Sequence, residues 1–213
     1  MTIKFNHILP NPILKDSVGD NSVWQNNFLI ESGQSYLLNA SSGRGKTTFV
    51  SILYGTRFDY EGQVYFDDRL ISDFELSDWI NLRTNQISAV FQTLNLFPKL
   101  SVFENIQIKN ELTNYKTEKE IDEMLNALGV YDLKTKLVEQ LSMGQKQRVA
   151  IIRALCQPFK WLFLDEPFSH LDTDNTTKAL NLIIDECEIN NGNFILTTLG
   201  ETMNLKNCKL LNL

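Results

Sequence analysis

The sequence is poor in features that settle a protein class by themselves. Its 213 residues hold three cysteines, Cys156, Cys187 and Cys208, with no close pair among them. That spacing excludes a disulfide scaffold and offers no zinc site, and Cys156 and Cys187, set among apolar neighbours, read as core residues. No apolar run approaches the roughly 18 residues that span a bilayer, and residues 1–20 lack the basic-then-apolar layout of a signal. A soluble chain of a reducing compartment is expected, so any membrane role comes through a partner. Basic residues are not in excess: 20 Lys+Arg face 26 Asp+Glu, a formal net charge of −6. Proteins that work on nucleic acid carry a basic face, so nucleic acid is not an expected partner. Repeats, low-complexity tracts and linkers rich in Gly, Pro or Ser are missing. What is present is 43% hydrophobic content, enough for the full core of one ordinary domain with a small inserted subdomain.

Short apolar runs alternate with helical patterns, which predicts an α/β fold with a mainly parallel sheet. Residues 35–38, 87–91, 161–164 and 194–198 read as buried strands, each ending at a polar or small residue. Ligands of doubly wound sheets sit at such carboxyl ends. Residues 27–30 and 63–66 read as an antiparallel flank, with Glu61-Gly62 as a turn. Between Thr93 and Gln140 the pattern turns helical. Ile121, Met124, Leu125 and Leu128 form one apolar stripe that Gly129 ends. Leu180, Ile183, Ile184 and Cys187 form a second, on a helix expected to cover one face of the sheet.

After the strand at 35–38 comes Ala40-Ser41-Ser42-Gly43-Arg44-Gly45-Lys46-Thr47-Thr48, then an apolar helical start. The pattern is close to G-x-x-x-x-G-K-[ST] between a strand and a helix. Gly43 and Gly45 permit backbone angles closed to side chains, turning successive N–H groups onto phosphate oxygens. The helix that follows aims the positive end of its dipole at the same anion. Lys46 reaches the β and γ phosphates, the Thr47 hydroxyl suits magnesium, and Thr48 adds one more hydroxyl. Ala40 stands where the pattern has glycine; if that position needs positive φ, its Cβ costs roughly 1–2 kcal/mol. The loop alone names a phosphate binder and leaves kinase, GTPase and transport ATPase open.

Two further stretches choose among them. Ser142-Met143-Gly144-Gln145 opens a helix where a hydroxyl and N–H groups turn toward an anion. That helix places Val149, Ile152 and Cys156 on one side and stops at Pro158. The run 161–164 then delivers Asp165 and Glu166 at its end, Asp165 suited to hold magnesium and Glu166 to polarise an attacking water.

With these motifs in order, the chain resembles the nucleotide-binding subunit of an ATP-binding cassette (ABC) transporter over roughly residues 27–198. The loop 40–47 resembles Walker A, Ser142–Gln145 the signature motif, Asp165-Glu166-Pro167 the end of Walker B, and Ser169-His170-Leu171-Asp172 the D-loop. Gln92 stands at the Q-loop glutamine, and residues 95–106 follow as in family members.

The resemblance implies a P-loop NTPase (RecA-like) core at 1–92 and 146–213, with a helical subdomain at 93–145 that ends in the signature motif. It implies ATP and Mg2+ as ligands, Glu166 as catalytic base, Gln92 as a metal and water ligand, and Asp172 as a coupler of two active sites. A second copy is implied as head-to-tail partner, so that each ATP lies between one Walker A loop and the other copy's Ser142–Gln145 turn. A separate integral membrane permease is implied as well, with this chain peripheral on the cytoplasmic membrane face.

Two departures stand out. Leu199 occupies the position of the switch histidine and Gly200 that of the following acid; the histidines present, His7 and His170, read as surface or loop residues. Slow hydrolysis is expected. No ring stands near Ser17–Val18, where an adenine-stacking aromatic belongs, and Trp24 reads as core. An ATP-binding regulatory or assembly subunit with little turnover is therefore the alternative. Cassette ATPases of DNA or ribosomes need a coiled-coil insertion or twin cassettes, and the 142–145 block argues against a small-molecule kinase.

Overall fold

Two sheets of different construction lie one against the other. The first is antiparallel: β1 (Ile3–Pro10) runs between β2 (Asn27–Ile30) and β4 (Tyr60–Phe66), and the short β5 (Arg69–Leu70) closes the edge. The second is wholly parallel. Its strands are β3 (Ser35–Asn39), β6 (Ile87–Val90), β7 (Trp161–Asp165), β8 (Asn193–Thr198) and β9 (Cys208–Asn212), in the order β6-β7-β8-β3-β9. The computed structural model describes residues 1–13, 19, 22–41, 43–198, 205 and 208–213. All four strands predicted for the core are present, within one residue at either end. Every residue of β7 and β8 is buried, as strands covered on both faces require.

One expected turn is not a turn. Glu61 and Gly62 lie inside β4, opposite a register shift between Asn6 and Leu9 of β1. A Cβ on Gly62 would stand 2.5 Å from the carbonyl oxygens of Asn6 and His7, so the bare glycine marks a bulge where two strands close in.

The helices are α1 (Lys46–Leu53), α2 (Leu76–Asn85), α3 (Val102–Asn110), α4 (Glu118–Ala127), α5 (Met143–Leu155) and α6 (Thr173–Asn190); α1, α2 and α5 pack on the parallel sheet, and α3, α4 and α6 meet α5. Three of them begin alike. Ser101 with Glu104, Thr117 with Glu120 and Ser142 with Gln145 each form a reciprocal box that satisfies two orphan N–H groups. The predicted stripe of α4 is buried as expected, and Gly129 follows at φ +62°. The stripe of α6 is rotated from its expected place. Ala179, Ile183, Glu186 and Cys187 face inward, while Leu180 is half-buried and Ile184 is 37% exposed. Glu186 takes an inward position because Lys116 meets it there at 2.8 Å, both side chains nearly wholly enclosed. Cys156 and Cys187 are buried free thiols, as expected of core residues. Among the described residues no helix is long and apolar enough to cross a membrane.

Candidate functional site

Strand β3 delivers the chain into the loop at 40–45 and α1 takes it away. Gly43 and Gly45 adopt φ of +78° and +97°, the left-handed conformations that side chains resist. Ala40 is not among the positive-φ residues, so the alanine at the first position carries no strain. Ser42 lies outside the described residues. Trp24 supports the loop from below: it is buried, its indole N–H points to the Arg44 carbonyl at 3.5 Å, and its ring meets Phe49 edge-on. That is the core role expected of it. Ser17, Val18, Leu199 and Gly200 lie outside the described residues.

Lys46 is only 5% exposed. Its ammonium donates to the carbonyls of Ala40 (2.7 Å) and Ser41 (3.3 Å) and sits 3.3 Å from Glu166 Oε1. Next to it, Thr47 Oγ1 donates to Asp165 Oδ2 at 2.7 Å. A hydroxyl has one proton and two lone pairs, so this donation leaves oxygen lone pairs free for a hard cation. Thr48 Oγ1 accepts from Arg57 at 2.9 Å.

Asp165 closes β7 and is fully buried. Both of its oxygens are occupied, Oδ2 by Thr47 and Oδ1 by the Thr197 hydroxyl at 2.9 Å. The next residue, Glu166, has φ +50°. A left-handed non-glycine residue costs roughly 1–2 kcal/mol, and such outliers persist only where the surroundings hold them. Here Glu166 is held at three points. Its N–H donates to Thr197 Oγ1 (3.1 Å), Oε1 faces Lys46, and Oε2 accepts from Gln92 Nε2 at 3.4 Å. Lys46, Thr47, Gln92, Asp165 and Glu166 thus form one cluster at the carboxyl ends of β3, β6 and β7. Thr197 belongs to it too, and the sequence reading missed it.

The remaining predicted residues form a second group. Ser142 Oγ accepts from the Gln145 N–H at 3.3 Å, and Gln145 Oε1 accepts from the Ser142 N–H at 2.9 Å. Gly144 runs so close to the 169–172 loop that a Cβ would stand 2.7 Å from the His170 carbonyl oxygen. Buried Gln147 ties the same loop down, donating to Ser169 Oγ (2.8 Å) and accepting from the His170 N–H (2.9 Å). Asp172 caps α6: Oδ1 accepts from the Asn175 N–H and Oδ2 from its side-chain amide. These bonds hold its carboxyl below the usual carboxylate range. His170 is an exposed loop residue, and His7 is exposed on β1.

The two groups are joined through α5. Arg153 near its end donates to the carbonyls of Leu94 (2.6 Å) and Asn95 (2.7 Å), just beyond Gln92. Both accepting residues have positive φ.

Residues 24–169 match the ABC transporter family. The chain is 39% identical over 163 residues to the glucose import ATP-binding protein GlcV of Saccharolobus solfataricus, covering 74% of this chain but 45% of that protein. It is 35% identical over 160 residues to the putative hemin import ATP-binding protein HrtA of Staphylococcus aureus, covering 74% and 72%. The fold superposes on the dimeric bacterial ABC transporter cassette MJ0796 with a TM-score of 0.78 at 25% identity, over 92% of this chain and 88% of that one. A post-hydrolysis state of the same cassette, bound to ADP and Pi, gives 0.77 over 92% and 87%. A phosphate loop and a carboxylate pair at parallel strand ends, with this likeness over most of the chain, make it a member of the ABC transporter family: an ATP-binding cassette ATPase.

Proposed function

We propose that the chain is the ATP-hydrolysing subunit of a transporter whose permease is a separate integral membrane protein, and that it works as a pair of copies. The observation that carries the reading is the split between the two groups of residues. Lys46, Thr47, Gln92, Asp165 and Glu166 gather within one chain, whereas the Ser142–Gln145 turn and Asp172 are tied to each other's neighbourhood. A second copy, placed head to tail, brings its turn to the phosphates held by the first.

ATP enters with its phosphates on the N–H groups of residues 43–48 and its γ-phosphate against Lys46. The ammonium then trades Glu166 for phosphate oxygen, which frees the carboxylate. Glu166 takes the proton from a water that attacks the γ-phosphorus, the bond to the bridging oxygen breaks, and ADP and phosphate result. The Thr47 hydroxyl and the Asp165 carboxylate are hard oxygens in the right place for Mg2+, with Gln92 at the rim. Mg2+ supplies charge neutralisation of the phosphate oxygens there. Leu199 in place of the switch histidine makes turnover slow.

Residues 1–92 and 146–213 form the nucleotide-binding core and 93–145 the helical subdomain, peripheral on the cytoplasmic membrane face. Arg153 and the Lys116–Glu186 pair connect the two parts, the route by which closure reaches the permease. GlcV and HrtA are both import proteins by name, which favours inward transport. The test is Glu166→Gln examined by light scattering and phosphate release: ATP converts it to a stable dimer while hydrolysis disappears. A variant that stays monomeric in millimolar ATP, or that hydrolyses at the unmodified rate, overturns the reading.

A further inference from the structure

We infer that Thr197 is a positioning residue for both carboxylates of the site, linking the carboxylate of Asp165 to the backbone of Glu166. The inference rests on the reading of Asp165 as a magnesium-binding oxygen and of Glu166 as the base.

Thr197 lies on β8 directly across from Asp165 of β7 in the parallel register. It is wholly buried, and its hydroxyl is fully used within the site. The proton goes to Asp165 Oδ1 at 2.9 Å, and a lone pair receives the Glu166 N–H at 3.1 Å. Thr47 holds the other oxygen, Oδ2, at 2.7 Å. Asp165 is therefore gripped on both sides by threonine hydroxyls, one on the phosphate-loop helix and one on the strand behind. Two fixed donors leave a carboxylate little freedom to rotate, so its remaining lone pairs keep one direction. The same hydroxyl anchors the N–H of a residue in left-handed backbone. Without that bond Glu166 loses one of the three contacts that hold it at φ +50°. A valine at 197 would fill the same space and supply neither bond.

Partners that orient a metal ligand are worth about 10–100-fold in metal affinity or activity. Thr197→Val should raise the Mg2+ concentration for half-maximal turnover about 10-fold. By calorimetry, the gain in ATP affinity produced by Mg2+ over EDTA should shrink to a similar degree. Affinity in EDTA should stay the same, since the phosphate loop is untouched. Thr197→Ser, which keeps the hydroxyl, should restore the wild-type magnesium dependence. Melting curves check folding, and Thr197→Ala carries the same reading if the valine variant does not fold. A merely structural threonine would lower the melting temperature and leave the magnesium half-point alone; that result overturns the inference, as does a serine variant as impaired as the valine one. If the unmodified protein itself gains no ATP affinity from Mg2+, the magnesium reading falls and this inference with it.

Discussion

The phosphate-loop cluster and the 142–145 turn are both built around hydroxyls and glycine, yet they are held in opposite ways. Around Asp165 the bonds are long in sequence: Thr47 reaches it across 118 residues and Thr197 across 32. Lys46, Asp165 and Thr197 are buried, Thr47 and Gln92 lie exposed at the rim, and Lys46 and Glu166 satisfy one another. Around Ser142 the bonds run three residues along the chain, as in any well-capped helix, and Met143 is 45% exposed. One arrangement is complete in itself. The other is a rigid edge, stiffened by Gln147 and the His170 loop, that presents a surface outward. A site of the first kind binds alone; one of the second kind acts on something brought to it. Under the proposed function, this contrast is the reason a single chain would hold nucleotide and a pair would turn it over.

The largest effect tests the enclosed half. Asp165→Asn keeps the shape but removes a charge and turns an acceptor into a donor facing one of two threonine protons. Turnover should fall roughly 100- to 1,000-fold, with the loss concentrated in kcat at saturating Mg2+, read by phosphate release. Comparable turnover would mean that Asp165 merely braces the strand. The next effect tests the open half. Gly144→Val pushes a side chain to within 2.7 Å of the His170 carbonyl at its first carbon, so helix α5 or the 169–172 loop must move. Such overpacking costs about 1–3 kcal/mol, which weakens ATP-driven dimerisation about 10-fold. ATP binding by the monomer should not change. If nucleotide binding fell in step, the two regions would not be separable.

What could be seen in advance follows the same division. Lys46, Thr47, Asp165 and Glu166 were legible because each stands at a fixed offset from a glycine or a strand end, and local chemistry dictates the residue type. Ser142 was legible as a hydroxyl opening a helix, but its reciprocal box with Gln145 shows only in the structure. Thr197 carried no such mark: in a run ending Leu196-Thr197-Thr198, threonine is simply a good strand residue, and only the β7–β8 register shows what its hydroxyl meets. Gly62 misled because glycine signals both turns and bulges, and the choice lies with a strand more than fifty residues away. The stripe of α6 was displaced by Glu186, which a hydropathy pattern counts as surface. Its burial depends on Lys116, 70 residues distant. Pairings across the chain are what a linear reading cannot supply.

The smallest effect concerns the joint between the two regions. Lys109 on α3 donates to Gln157 Oε1 at 2.7 Å. Its pKa is lowered to about 8, first by burial and then by the positive charges of Arg153 and Arg83. Arg153 is also the residue that grips the segment after Gln92. A lysine whose folded pKa is depressed keeps its proton more readily when unfolded. Between pH 8 and the ordinary value of 10.5 the unfolded state binds more protons, so stability rises with pH across that window. The thiols of Cys156 and Cys187 act in the other direction. Burial raises both to about 12 from 9.0, so the unfolded state ionises first and stability declines above pH 9. Both effects act between pH 8 and 9, so comparison with a variant that lacks only the lysine isolates it. From pH 8 to 9, urea denaturation should show the stability of the unmodified protein changing about 1 kcal/mol more favourably than that of Lys109→Met, which shares the thiol loss and starts from a higher stability at pH 7. An identical slope in both proteins would place the charge of Lys109 in water.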